Sequence, residues 1–164
     1  MIVGEQPGDV EEREGRPFVG PAGRLLMDHL EQAGINRSRA YVTNAVKHFK
    51  YLPRGKRRMH QTPTAGEIDI CRWWLDAERR IIKPRLVLAL GASAVRGVLG
   101  KSASVRGLRG RAIDLADGGE LWVTTHPSYL LRVPRDDRPT EEERFQGDLL
   151  KIAERLTALD RAGR

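Results

Sequence analysis

The sequence predicts a three-layer α/β/α domain built on a central, mostly parallel sheet of about four strands. Three observations lead to it. Strand-like and helix-like patterns alternate along the chain, which requires a sheet covered on both faces. The run "RLVLALG" is almost wholly apolar, as a strand is when both its faces are buried. Polar, chemistry-bearing residues recur just after the expected strands, where open α/β sheets place their ligands.

The elements follow in order. "MIV" is a strand and runs into the Gly/Pro loop "GEQPGDVEEREGRPFVGPAG". "AGRLLMDHLEQAG" carries Leu25, Leu26, Leu30 and Ala33 at helical spacing and stops at Gly34. "AYVTNAV" is the second strand, and the basic loop "YLPRGKRRMHQTP" follows it. "TAGEIDICRWWLDAERRII" is a long amphipathic helix, with Thr64 as N-cap and Glu67 three residues on as its capping box. "RLVLALG" is the third strand and "ASAVRGVLG" a short helix. "AIDLA" and "LWVTT" are strands around the turn "DGG". "TEEERFQGDLLKIAERLTALD" closes the chain as a helix whose first-turn acids suit its dipole. Within these elements His29 is expected to be structural and Cys71 a small core residue, and one of Trp73 and Trp74 should be buried.

A chain of 164 residues suits one domain, 1–164. No apolar run approaches membrane-spanning length, and the N-terminus carries no export pattern. The single cysteine excludes an internal disulfide and fits a reducing, cytoplasmic setting. The net charge of +7 is unevenly spread. Residues 1–46 hold 5 Lys/Arg against 7 Asp/Glu, residues 47–111 hold 16 against 4, and residues 112–164 hold 8 against 11. A local surplus of this kind implies a polyanion on one face. Arg79, Arg80 and Lys83 read as ordinary helix-surface charge, whereas the clusters at 54–58 and 101–111 do not.

The motifs narrow the chemistry. "GEQPGD" is neither a phosphate-binding P-loop nor a G-x-G-x-x-G turn. It puts two acids, Glu5 and Asp9, in a tight turn of a protein otherwise suited to anions. A carboxylate there is unfavourable unless it stabilises developing positive charge, and an oxocarbenium-like sugar is one such charge. Phe18, in a Gly/Pro loop, is either a core side chain or a base-stacking platform. Asn44 ends a strand, as a simple cap or as an amide able to read a flipped pyrimidine. In "HPS", His126 offers a hydrogen-bond donor and Ser128 a phosphate ligand. Leu130 and Leu131 either pack in the core or wedge into a base stack with Arg132 on the backbone. Arg54, Lys56, Arg57 and Arg58 form a phosphate-gripping run that ends, oddly, in His60.

Taken together, "GEQPGD…GRPFVGPAG", "VTNAVK", "LALGASA" and "HPS" resemble, in order and spacing, the iron–sulfur uracil-DNA glycosylases, from residue 1 to about 132. "GEQPG", with Gln6, and the loop "KRRMHQTP" are similar to one branch, the UdgX type. Its loop reads Lys-Arg-Arg-Ile-His, from which Met59 departs. The resemblance implies a uracil-DNA glycosylase-like fold and excision of uracil from DNA. It implies that Glu5 stabilises or attacks the sugar cation and that Phe18 stacks on uracil. Asn44 would read the base and His126 bind its O2, with Gln6 and Asp9 in the substrate-binding loop. In this branch the loop histidine, here His60, captures the sugar C1′ and leaves the protein bonded to DNA. Neutral imidazole is a competent nucleophile. Lys56, Arg57 and Arg58 beside it are expected to disfavour its protonation.

The resemblance also implies a [4Fe–4S] cluster, two of whose ligands come from a Cys-x-x-Cys segment ahead of the first strand. The chain starts at "MIVGEQPG" and lacks those cysteines. Cys71 matches a later ligand, and His48 in "AVKH" stands where the ordinary iron–sulfur enzymes carry Cys. Two ligands of four are too few to hold a cluster securely, and the sequence is expected to be truncated at its N-terminus. The partner implied is uracil-containing DNA, single-stranded, met by a monomer. Two rivals remain open: a turnover glycosylase whose His60 only contacts phosphate, and a non-catalytic DNA-binding fragment.

Overall fold

In a computed structural model, which describes residues 1–162, β1 (Ile2–Gly4) leads through α1 (Asp9–Glu14) and α2 (Pro21–Gln32) to β2 (Val42–Asn44). A hairpin, β3 (Tyr51–Arg54) and β4 (Arg57–His60), precedes the long α3 (Ala65–Ile82). Next come β5 (Leu86–Leu90), α4 (Gly91–Leu99), α5 (Val105–Leu108), β6 (Ile113–Asp114) and β7 (Glu120–Thr124). The short α6 (Pro127–Leu130) and the long α7 (Arg138–Ala162) complete the described chain. The sheet order is β2-β1-β5-β7-β6, with β2, β1, β5 and β7 parallel and the two-residue β6 antiparallel at the edge.

The alternation of side chains along a strand explains the layers. Leu86, Leu88 and Leu90 join Ile2 and Trp122 on one face, against Leu26 and Leu30 of α2 and Phe145, Leu149 and Ile152 of α7. Val87 and Ala89 join Val3, Leu121 and Val123 on the other, against Ile68 and Leu75 of α3 and Ala94, Val95 and Val98 of α4. The expected three-layer α/β/α fold is therefore present. The chain moves from β1 to β2 on one side and returns to β5 on the other, so the crevice between β1 and β5 is a topological switch point.

Several expectations need correction. The basic "loop" is a β-hairpin, paired Tyr51 to His60 through Arg54 to Arg57, with Gly55 in the left-handed region at its tip. No residue of either strand is buried, so no apolar alternation announced it. The Gly/Pro loop hides α1, which likewise buries nothing. Trp73 and Trp74 are both exposed, stacked on each other with ring centroids 3.9 Å apart. The inward stripe of α3 runs through Ile68, Leu75 and Arg79, which turns positions 73 and 74 outward. Cys71 packs half-buried at the edge of the core. Thr64 and Glu67 do form the expected capping box, and His29 is buried and bonded to Gln146. No helix among the described residues is long and apolar enough to cross a membrane.

Leu88 is 2 % exposed at the centre of the sheet. Leu88→Ala should lower stability by about 3 kcal/mol, read as a lower urea midpoint at unchanged slope.

Candidate active site

At the switch point lies a cavity of about 590 Å³ lined by residues from every carboxyl-end loop, Glu5, Phe18, Asn44, His60, Ser93 and His126 among them. Two glycines create it. A Cβ on Gly4 would lie 2.5 Å from both Asn44 Oδ1 and Phe18 Cζ, and one on Gly91 would meet His126 Cβ at 3.1 Å. Phe18 itself is held at φ 58, a conformation unusual for a side chain of its size. Its ring centroid is 6.2 Å from that of His126. Glu11 Oε1 accepts a hydrogen bond from the Gly20 backbone N–H and ties that loop down. Asn44 is 7 % exposed, and its amide makes no hydrogen bond to another described residue. A buried amide with donor and acceptor both open onto a cavity is suited to reading a polar ligand edge.

Glu5 is the meeting point of the site. Ser93 Oγ donates to its Oε2 at 2.6 Å, and His60 Nε2 lies 3.0 Å from its Oε1. Ser93 was not expected from the sequence. The available signal was its place two residues after Gly91, on the same strand end as the rest. The charged group within hydrogen-bond reach of His60 is thus the Glu5 carboxylate. Arg58 instead turns back to the Asp9 carboxylate, which also pairs with Arg13, and lies over the rings of Phe49 and Tyr51. Asp9 and Arg58, expected toward substrate and phosphate, are placed as a brace between α1 and the hairpin. Gln6 is placed as a clamp. Its Nε2 donates to the carbonyls of Lys50 and Gln61 at 3.3 and 3.0 Å, while its Oε1 accepts from the Lys50 N–H at 3.1 Å. Arg54, Lys56 and Arg57 remain exposed along the hairpin, without acidic partners among the described residues.

His126 has a defined tautomer. The Ser128 backbone N–H donates to its Nδ1 at 3.2 Å, so in the neutral ring the proton sits on Nε2. Burial pushes its pKa down from 6.5 to about 4, with Arg132 and His60 adding to the depression and Glu5 and Glu11 opposing it. A neutral Nε2–H donor in a cavity can stabilise a developing oxyanion without spending a charge. Ser128 Oγ lies 2.8 Å from Nδ1 and accepts from Arg132 Nη2 at 3.3 Å, so it supports the imidazole while Arg132 stays exposed. Leu130 is buried in the core and Leu131 is exposed beside the cavity.

His48 is exposed and Cys71 half-buried, and no group of three or more potential metal-ligating side chains occurs among the described residues. A four-ligand cluster does not fit the donors present.

A neutral histidine, an open amide and a carboxylate thus surround a cavity at the switch point of a three-layer fold. The chain belongs to the uracil DNA glycosylase superfamily, whose sequence pattern it matches over residues 1–150. It is similar to a type-4 uracil-DNA glycosylase of Thermotoga maritima, 43% identical over 80% of this chain and 66% of the relative. It is also similar to two enzymes of Pyrobaculum aerophilum. One is a type-4 uracil-DNA glycosylase, 37% identical over 91% of this chain and 74% of the relative. The other is a type-5 uracil-DNA glycosylase, 34% identical over 79% of this chain and 61% of the relative.

The depressed His126 pKa sets a pH dependence. Between pH 6.5 and about 4 the unfolded chain takes up a proton that folded His126 refuses. The stabilisation is complete above 6.5 and is lost as pH falls to about 4. The urea midpoint should therefore drop more steeply with acid for the parent than for His126→Gln across that window, and equal slopes would refute the buried neutral imidazole.

Proposed function

We propose that this protein cleaves the N-glycosidic bond of deoxyuridine in DNA, acting on single strands as a monomer, and that His60 then bonds to the freed sugar, as in the UdgX branch. The observation that carries the reading is the 3.0 Å approach of His60 Nε2 to Glu5 Oε1 at the cavity that Asn44 and His126 also line. Uracil enters against Phe18, with its polar edge on the Asn44 amide. The C1′–N1 bond breaks heterolytically. Its electron pair leaves with uracil, whose negative O2 is met by His126 Nε2–H, while Glu5 stabilises the positive sugar. His60 Nε2–H faces Glu5 Oε1, so the carboxylate takes that proton as Nε2 bonds to C1′. The sugar cation and the Glu5 anion are neutralised together, leaving a neutral N-alkylated imidazole and a protonated Glu5. Arg54, Lys56 and Arg57 hold the phosphates on either side.

The names of the relatives favour a second reading, hydrolysis with turnover. There Glu5 orients water toward C1′ and His60 serves only to hold Glu5.

Incubation with a single-stranded uracil oligonucleotide followed by a denaturing gel separates the two. A shifted band supports capture, and an abasic product without a shift supports turnover. Neither product would overturn excision and leave DNA binding alone. His60→Ser should abolish the shifted band while uracil is still released, and a band persisting in that variant would remove His60 from the bond. Glu5→Gln should slow uracil release by about 100-fold with DNA affinity little changed, as measured by single-turnover kinetics and anisotropy.

A further inference from the structure

Beside the cavity runs a second, larger space of about 1060 Å³, and the two share Gly91 and His126. Its walls are the segment from Val105 to Gly110 on one side and α7 on the other, with Tyr129 at the junction. Four cations line it, Arg106, Arg109, Arg144 and Lys151, against two acids, Glu141 and Asp148. Both acids are already engaged. Asp148 Oδ2 accepts from Arg109 Nε at 2.5 Å and from Thr124 Oγ1 at 2.6 Å, and Glu141 pairs with Arg144 at 2.7 Å. Arg106 and Lys151 are exposed and have no acidic partner among the described residues. The groove therefore presents uncompensated positive charge.

Tyr129, 42% exposed, adds an aromatic face where groove and cavity meet. Positive charge along an open track with an aromatic side chain at its head is the pattern of single-strand binding.

We infer that this groove carries the DNA strand leaving the excised nucleotide on the His126 side, with Arg106 and Lys151 on its phosphates and Tyr129 stacked on the adjoining base. The inference rests on the reading of the neighbouring cavity as a deoxyuridine site, because continuity with that cavity makes the occupant the chain attached to the nucleotide. It also gives Arg106 of the 101–111 basic cluster a role that the cavity itself does not.

The test is binding of a 20-nucleotide oligothymidine by the parent and by Arg106→Gln/Lys151→Gln, followed by fluorescence anisotropy across a salt series. Loss of two phosphate contacts should flatten the log–log salt slope by about 1.4 and weaken binding at low salt by about tenfold or more. Tyr129→Ala should weaken binding with the salt slope unchanged. Uracil release from a saturating trinucleotide should be the same in parent and double variant. An unchanged slope and affinity in the folded double variant, or a parent that does not bind the oligonucleotide, would overturn the groove. A parent that binds oligothymidine through these residues yet releases no uracil would instead overturn the reading of the cavity.

Discussion

The site depends on β1 being paired on both sides. Its three residues pair with β2 along one edge, Ile2 and Val3 pair with β5 along the other, and the β2 ladder continues past the strand itself. Ala45 N–H donates to the Gly4 carbonyl and Val46 N–H to that of Glu5, each at 2.9 Å. The backbone of Glu5 is therefore fixed by the sheet, although the residue lies in a loop. Gly4 has no Cβ, so Asn44 and Phe18 close over it. An Ala at that position would separate the base-reading amide from the aromatic platform while leaving the sheet register intact. Position in the sheet, backbone lock and missing side chain together place the carboxylate at the switch point.

From that fixed point the polar groups divide the labour by pairing. Asp9 is neutralised by Arg58 and Arg13, Glu67 by Lys50, and Glu78 by Lys47. Glu5 contacts only a hydroxyl and an imidazole. Its field is thus not cancelled by a neighbouring guanidinium or ammonium among the described residues. A carboxylate in that condition is what a transient sugar cation needs. The neutral His126 completes the arrangement, since a charged imidazole there would oppose the same cation.

The sheet and its order of elements were legible because "RLVLALG" must be buried on both faces, and because the strand ends carry Glu5, Asn44 and His126. The hairpin was not legible. Strand prediction rests on apolar alternation, and "YLPRGKRRMH" has every residue at least partly exposed, so nothing in its hydropathy marks the pairing. The structural partners of Gln6, Asp9 and Arg58 were not legible for a related reason, although Gln6 and Asp9 do line the cavity as expected. Residue type shows what a side chain can bind, but only the fold shows whether a backbone carbonyl or a counter-charge reaches it first. Gln6 met the ends of the hairpin and Asp9 met Arg58. The tryptophans failed on helical phase, since the stripe through Ile68, Leu75 and Arg79 fixes which side of α3 is inside.

Under the proposed reading, the difference between capture and turnover would lie in the hairpin rather than in the cavity. Tethered imidazole competes with water through effective concentration, which reaches 10⁵ M or more when the geometry is held and collapses when it is not. Three contacts from three elements hold it here: Gln6 from the catalytic loop, Glu67 on Lys50 from the start of α3, and Asp9 on Arg58 from α1. Gln6 and Glu67 both hold Lys50 at the base of the hairpin, and Asp9 holds Arg58 within its second strand. All three leave His60 Nε2 beside Glu5. On that reading, loosening the hairpin would leave Asn44, Phe18 and His126 in place but would take His60 away from the cavity that Glu5 lines. Under the proposed reading the same cavity would serve either outcome, with the stiffness of the hairpin selecting between them.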